Sequence, residues 1–81
     1  MSAPTFDYLA AIIAGHFMVP IASIGPKTTA ADVDGWDSIS HTMLILEIEN
    51  RLDMHLDPEA TIGVETVQEL FDLIRQSWGR N

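Results

Sequence analysis

Apolar residues in this chain recur at three- and four-residue intervals, and no stretch alternates as a β-strand would, so the spacing leaves only all-α folds open. The pattern is sharpest near the C-terminus, where Val67, Leu70, Phe71, Ile74 and Trp78 form one helical stripe. Thr66 and Glu69 have capping-box spacing, Arg75 complements the negative end of the helix dipole, and Gly79 marks a stop. A first helix is predicted from about Thr5 to Val19, with Phe6, Leu9, Ile13, His16 and Phe17 on one face, Thr5 as cap and Asp7 in the first turn. Pro20 ends it. Gly15 costs that helix about 1 kcal/mol relative to alanine, so packing must hold it.

Residues 20–36 contain Pro20, Gly25, Pro26 and Gly35, the composition of a long connection crossing a bundle, with Ile21, Ile24 and Val33 as its apolar anchors. A second helix is predicted from about Ser38 to Asp53. Asp37 is its N-cap, Ile39, Leu44, Ile45, Ile48 and Leu52 its apolar face, and Glu47, Glu49, Asn50 and Arg51 its solvent side. Asp57-Pro58-Glu59 opens a short third helix that Gly63 limits. The expectation is a single domain over residues 1–81: a four-helix bundle with a long loop between helices 1 and 2 and a short helix 3.

A domain of 81 residues buries roughly 60–65% of its unfolded surface and keeps a stability of about 4–12 kcal/mol, little to set against a large strained active site. With no cysteine, the chain builds no disulfide, thiolate zinc site or cysteine nucleophile, and any thiol chemistry must be imported. Its net charge of −8 disfavours nucleic acid and anionic lipid and favours basic protein surfaces. Eleven of the twelve acids lie between Asp32 and Asp72, where Arg51 is the only Lys or Arg. The apolar stretch Tyr8–Gly25 fails as a targeting or membrane segment: no Lys or Arg precedes it, Asp7 stands where positive charge is wanted, and His16 and Pro20 interrupt it. A soluble, cytoplasmic monomer is the expectation.

Gly35-Trp36-Asp37-Ser38-Ile39 joins the long connection to the second helix, which places the Ser38 hydroxyl at a helix N-terminus, where backbone N–H groups favour an anion such as a phosphoester. On that pattern alone, Asp-Ser at a helix start is ordinary capping chemistry. The whole chain, however, resembles the acyl and peptidyl carrier proteins of fatty acid, polyketide and nonribosomal peptide systems. The resemblance lies in a first helix carrying Ile12-Ile13, a long loop, Asp37-Ser38-Ile39 opening helix 2, an apolar second helix through Leu52, and Thr66-Val67-Gln68 opening the last. It implies that Ser38 carries a 4'-phosphopantetheine arm installed from coenzyme A by a phosphopantetheinyl transferase, with Asp37 as the adjacent motif acid. The arm's thiol would hold an acyl or aminoacyl group as a thioester. The implied partners are that transferase, an acyl- or amino-acid-activating enzyme, and synthase or acyltransferase enzymes; the protein itself is expected to be no enzyme.

Early helix 2 departs from the acidic surface of the best-known fatty acid carriers, since Ser40, His41 and Met43 stand there, and this leans toward a specialised pathway. Trp36, Ile39, Met43 and Leu46 are the candidate partner contacts, with core packing the competing role for each. His41 is expected on the surface, His16 half-buried, and Trp78 in the packing. A calcium loop starting at Asp32 fails, because Asp37 stands where glycine is needed and Met43 where a bidentate acid is needed. Ser38 and His41 lack a nucleophile elbow, and His16, His41 and His55 lack ligand spacing. The competing reading is a small acidic helical adaptor that binds proteins and carries no arm.

Overall fold

The computed structural model describes residues 3–78. It contains four helices, α1 (Phe6–Phe17), α2 (Ser38–Leu52), α3 (Pro58–Ile62) and α4 (Val67–Ser77), with two 3-10 turns, Ile21–Ser23 and Ala30–Asp32, in the connection between α1 and α2. Among the described residues there is no strand, only a lone antiparallel bridge between Thr29 and Thr66. No helix among them is long and apolar enough to cross a membrane.

Each helix opens on a side-chain cap that meets one of the N–H groups a helix start leaves unpaired. Thr5 accepts from the Tyr8 N–H, Asp57 from Glu59 and Thr66 from Glu69. The box expected between Thr66 and Glu69 is one-sided, because the Thr66 hydroxyl approaches the Glu69 carboxylate at 3.4 Å. α1 stops two residues earlier than expected. Val19 precedes Pro20 and is pushed out of the helical region, so Met18 turns left-handed at φ 58° and the Val19 N–H closes on the Ala14 carbonyl at 3.0 Å. α2 ends on Leu52 with Asp53 left-handed, and the stop expected at Gly79 lies outside the described residues.

Leu9, Ile13, Leu44, Ile48, Leu56 and Leu70 are fully enclosed, so α1, α2 and α4 share one core with the segment before α3. α1 packs edge-on through Phe6 to Phe71 of α4, and at its other end Phe17 stacks on Trp36 at 5.0 Å. Trp78 packs against the core as expected. Ile39 corrects the expected apolar face of α2. It stands nine residues from Ile48, two and a half turns at about 3.6 residues per turn, and so points away from the core.

The long connection is held by backbone as well as by side chains. Val67 and Gln68 donate their first-turn N–H groups to the carbonyls of Thr28 and Pro26, at 2.9 and 3.0 Å, which stitches the connection to the start of α4. Ile24 and Val33 are buried anchors; Ile21 is not, because it opens a 3-10 turn at the surface and Ile24, three residues on, reaches inward.

Glu47 and Glu49, expected to face solvent, are half-buried and bonded. Glu47 accepts from His16 Nδ1 at 3.0 Å and from Arg51 Nε at 2.8 Å, joining α1 to α2. Glu49 accepts the Leu56 N–H at 2.8 Å and lies 3.1 Å from His55 Nδ1.

Candidate functional site

Ser38 is the first residue of α2, and its neighbours, rather than Ser38 itself, cap the helix. Asp37 accepts the Ser40 N–H at 2.9 Å, while Ser40 Oγ accepts the Asp37 N–H at 2.8 Å and donates to the Gly35 carbonyl at 2.6 Å. This reciprocal box needs the chain to double back just before the helix, and Gly35 provides the bend at φ +87°. The division of labour leaves the Ser38 hydroxyl exposed and outside every hydrogen bond among the described residues. The Ser40 backbone N–H, then the Ser40 hydroxyl, hold the Asp37 carboxyl below its ordinary range, so an ionised acid stands beside the serine at neutral pH.

A cleft of about 430 Å³ opens beside Ser38, walled by Trp36, His41, Thr42, Ile62 and Val64. Trp36 is half-buried between Phe17 and His41, stacked on both, and its indole N–H donates to His41 Nδ1 at 3.1 Å. It therefore serves the packing of the connection and also forms a wall of the cleft. His41 corrects the expectation of a surface residue. It is half-buried, and burial lowers its basicity, opposed in part by the Thr61 carbonyl that faces the ring. With Nδ1 engaged by Trp36 and Nε2 shut away from solvent, His41 makes no hydrogen bond to Ser38, so the pair is not a nucleophile and its base.

The other three candidate contacts lie on the outer face of α2. Ile39, Met43 and Leu46 are 76%, 56% and 50% exposed and fall at the i, i+4, i+7 positions of one helix face. Ile62 of α3, 75% exposed, adds to this apolar surface and also lines the cleft. Sequence reasoning missed it, since a helix of five residues has no period from which an outward position can be read. Among the described residues no group of three or more His, Cys, Asp or Glu is placed to hold a metal ion.

No family model matches the chain. Its fold is shared with the solution NMR structure of a holo acyl carrier protein from Geobacter metallireducens, with a TM-score of 0.83 and 30% sequence identity, over 95% of this chain and 88% of that one. The agreement extends from the helix order to nearly a third of the residues across almost the whole length. A four-helix bundle with an uncommitted serine at the head of its second helix, aligned on that scale with a carrier protein, belongs to the acyl-carrier-protein-like family.

Proposed function

We propose that this protein is a carrier that holds acyl, aminoacyl or peptidyl intermediates as thioesters on a 4'-phosphopantetheine arm at Ser38 and delivers them to separate enzymes. The observation that carries the reading is the exposed, unbonded Ser38 hydroxyl in the first turn of α2, left free because Asp37 and Ser40 do the capping. The residues present fit a phosphodiester-linked arm: the helix start favours an added negative charge, and an open cleft with apolar walls adjoins the serine. That the solved neighbour is a holo protein supports a prosthetic group here. When bound, the arm supplies the sulfur that a cysteine-free chain lacks.

The chain's own part is presentation. Ser38 offers its hydroxyl to a phosphopantetheinyl transferase, and Asp37 keeps the helix start rigid and the serine at its surface. Ile39, Met43, Leu46 and Ile62 form an apolar footing beside it for the transferase, for an acyl- or amino-acid-activating enzyme and for synthases or acyltransferases. The acids concentrated after Asp32 favour basic partner surfaces. The apolar footing supports a specialised biosynthetic pathway over bulk fatty acid synthesis.

The test is intact-mass spectrometry after incubation with coenzyme A and a broad-specificity transferase. The wild type is expected to gain one phosphopantetheine and Ser38→Ala none. No gain in a folded wild type would sink the reading in favour of an adaptor without an arm.

A further inference from the structure

The cleft beside Ser38 is backed by a second space. Ala30, Trp36, His41 and Val64 line the cleft and also line a separate cavity of about 30 Å³ that reaches Thr66 and Leu70 at the start of α4. These four residues are a partition between the two. The polar contact within that partition is the bond from Trp36 Nε1–H to His41 Nδ1, made between rings stacked 6.2 Å apart at 21°. Because Nδ1 accepts that bond with its lone pair, the proton of the neutral ring sits on Nε2. Nε2 is buried and has no hydrogen-bond partner. The Thr61 carbonyl faces the ring without closing a hydrogen bond of good geometry on Nε2, so the side-chain bond that holds the partition is the one from Trp36.

We propose that Trp36 and His41 form a proton-operated gate between the Ser38 cleft and the cavity behind it, shut while His41 Nδ1 accepts the indole N–H and open once that nitrogen takes a proton from solvent. Imidazolium has two N–H donors and no acceptor, so it cannot keep the Trp36 bond. Two donors then face each other, and a charged ring inside an apolar wall is driven toward water. Burial already holds His41 below its ordinary value of 6.5, which favours the shut gate at neutral pH. The charged groups lining the two spaces are Asp37, beside the cleft at the head of α2, and Glu65, beside the inner cavity in the link from α3 to α4. The other elements packed there present Ala30 and Thr28 of the connection, Thr61 and Ile62 of α3 and Leu70 of α4, none of them charged. His16 touches Phe17, which stacks on Trp36, and its own Nδ1 is bonded to Glu47. The gate rests on the carrier reading for its use, setting how much room an apolar part of the carried group finds next to Ser38, but not for its operation.

The experiment follows the indole N–H and histidine ring resonances of the unmodified full chain by NMR from about pH 8 down to about pH 4.5, the range in which histidine titrates. The Trp36 indole signal is expected to move with the His41 ring at one shared midpoint below 6.5, while the Trp78 indole does not follow it. His41→Phe keeps a ring in the stack without an acceptor, so its Trp36 signal should be flat over the same range. Trp36→Phe removes the donor that competes for Nδ1, so the His41 midpoint should rise toward 6.5. A wild-type Trp36 signal indifferent to pH, one that titrates unchanged in His41→Phe, or a His41 midpoint that stays or falls in Trp36→Phe overturns the gate. Should His41→Phe not fold, the wild type and Trp36→Phe still decide. None of these measurements uses the arm, so loss of the gate leaves the carrier reading standing, and a Ser38 that takes no arm leaves the titration intact.

Discussion

Two glycines in this protein should respond to the same substitution with opposite signs. Gly15 lies inside α1 with ordinary helical geometry, and a Cβ placed there meets nothing within 4 Å. Gly15→Ala therefore adds helix propensity and removes unfolded-state freedom with no opposing contact, a gain of about 0.5–1 kcal/mol. Gly35 sits at φ +87°, and there a Cβ would meet Phe17 only at an ordinary 4.0 Å. Its cost is thus backbone conformation rather than crowding, a loss of about 1–2 kcal/mol for Gly35→Ala. In a domain of this size 1 kcal/mol moves the melting temperature by about 4–8 °C. Thermal melts and urea titrations should show Gly15→Ala several degrees above the wild type and Gly35→Ala several degrees below it, with urea slopes unchanged in both. A destabilised Gly15→Ala, or a Gly35→Ala as stable as the wild type, would refute the assignment of these two backbone geometries. Because Gly35 also bends the chain into the cap that frees Ser38, the second variant should be modified more slowly by a transferase, and the first should not.

Glu47 offers a pH test. Its bond to His16, then Arg51, holds the carboxyl below its ordinary value of 4.5 against the opposing effect of burial, so the folded state binds fewer protons there than the unfolded chain. That stabilisation is present above the unfolded value and is lost as pH falls through the lowered one; the gap in urea midpoint between wild type and Glu47→Gln should be widest near neutrality and close in acid, and a gap independent of pH contradicts the reading. Met43→Ser and Leu46→Ser alter exposed positions and should leave stability within about 0.5 kcal/mol of the wild type while lowering kcat/KM several-fold for a partner enzyme that loads or unloads the arm. A fall in melting temperature without a change in transfer would return both residues to the packing.

The parts of this fold that could be read along the chain are those in which a residue's role depends on neighbours within one or two helical turns. The stripe from Val67 to Ile74, the caps at Thr5, Asp37, Asp57 and Thr66, and the position of Ser38 at the head of α2 are all of this kind. The outward orientation of Ile39 was also within reach, since nine residues from Ile48 is half a turn out of phase on any α-helix. Other assignments depended on partners far away in sequence. Glu47 leaves the solvent side because His16, thirty-one residues earlier, comes within hydrogen-bonding distance, and His41 leaves it because Phe17 of α1 backs the Trp36 ring stacked on it and Thr61 of α3 faces it from elsewhere in the fold. Ile21 and Ile24 have the same chemistry and differ only in which of them the stitched connection turns inward. Local sequence therefore determined the helices, their ends and the serine they present. The tertiary structure alone decided which polar groups are desolvated, which apolar ones remain outside, and that a cleft lies beside that serine, because burial is set by what packs from elsewhere and leaves no period in the chain.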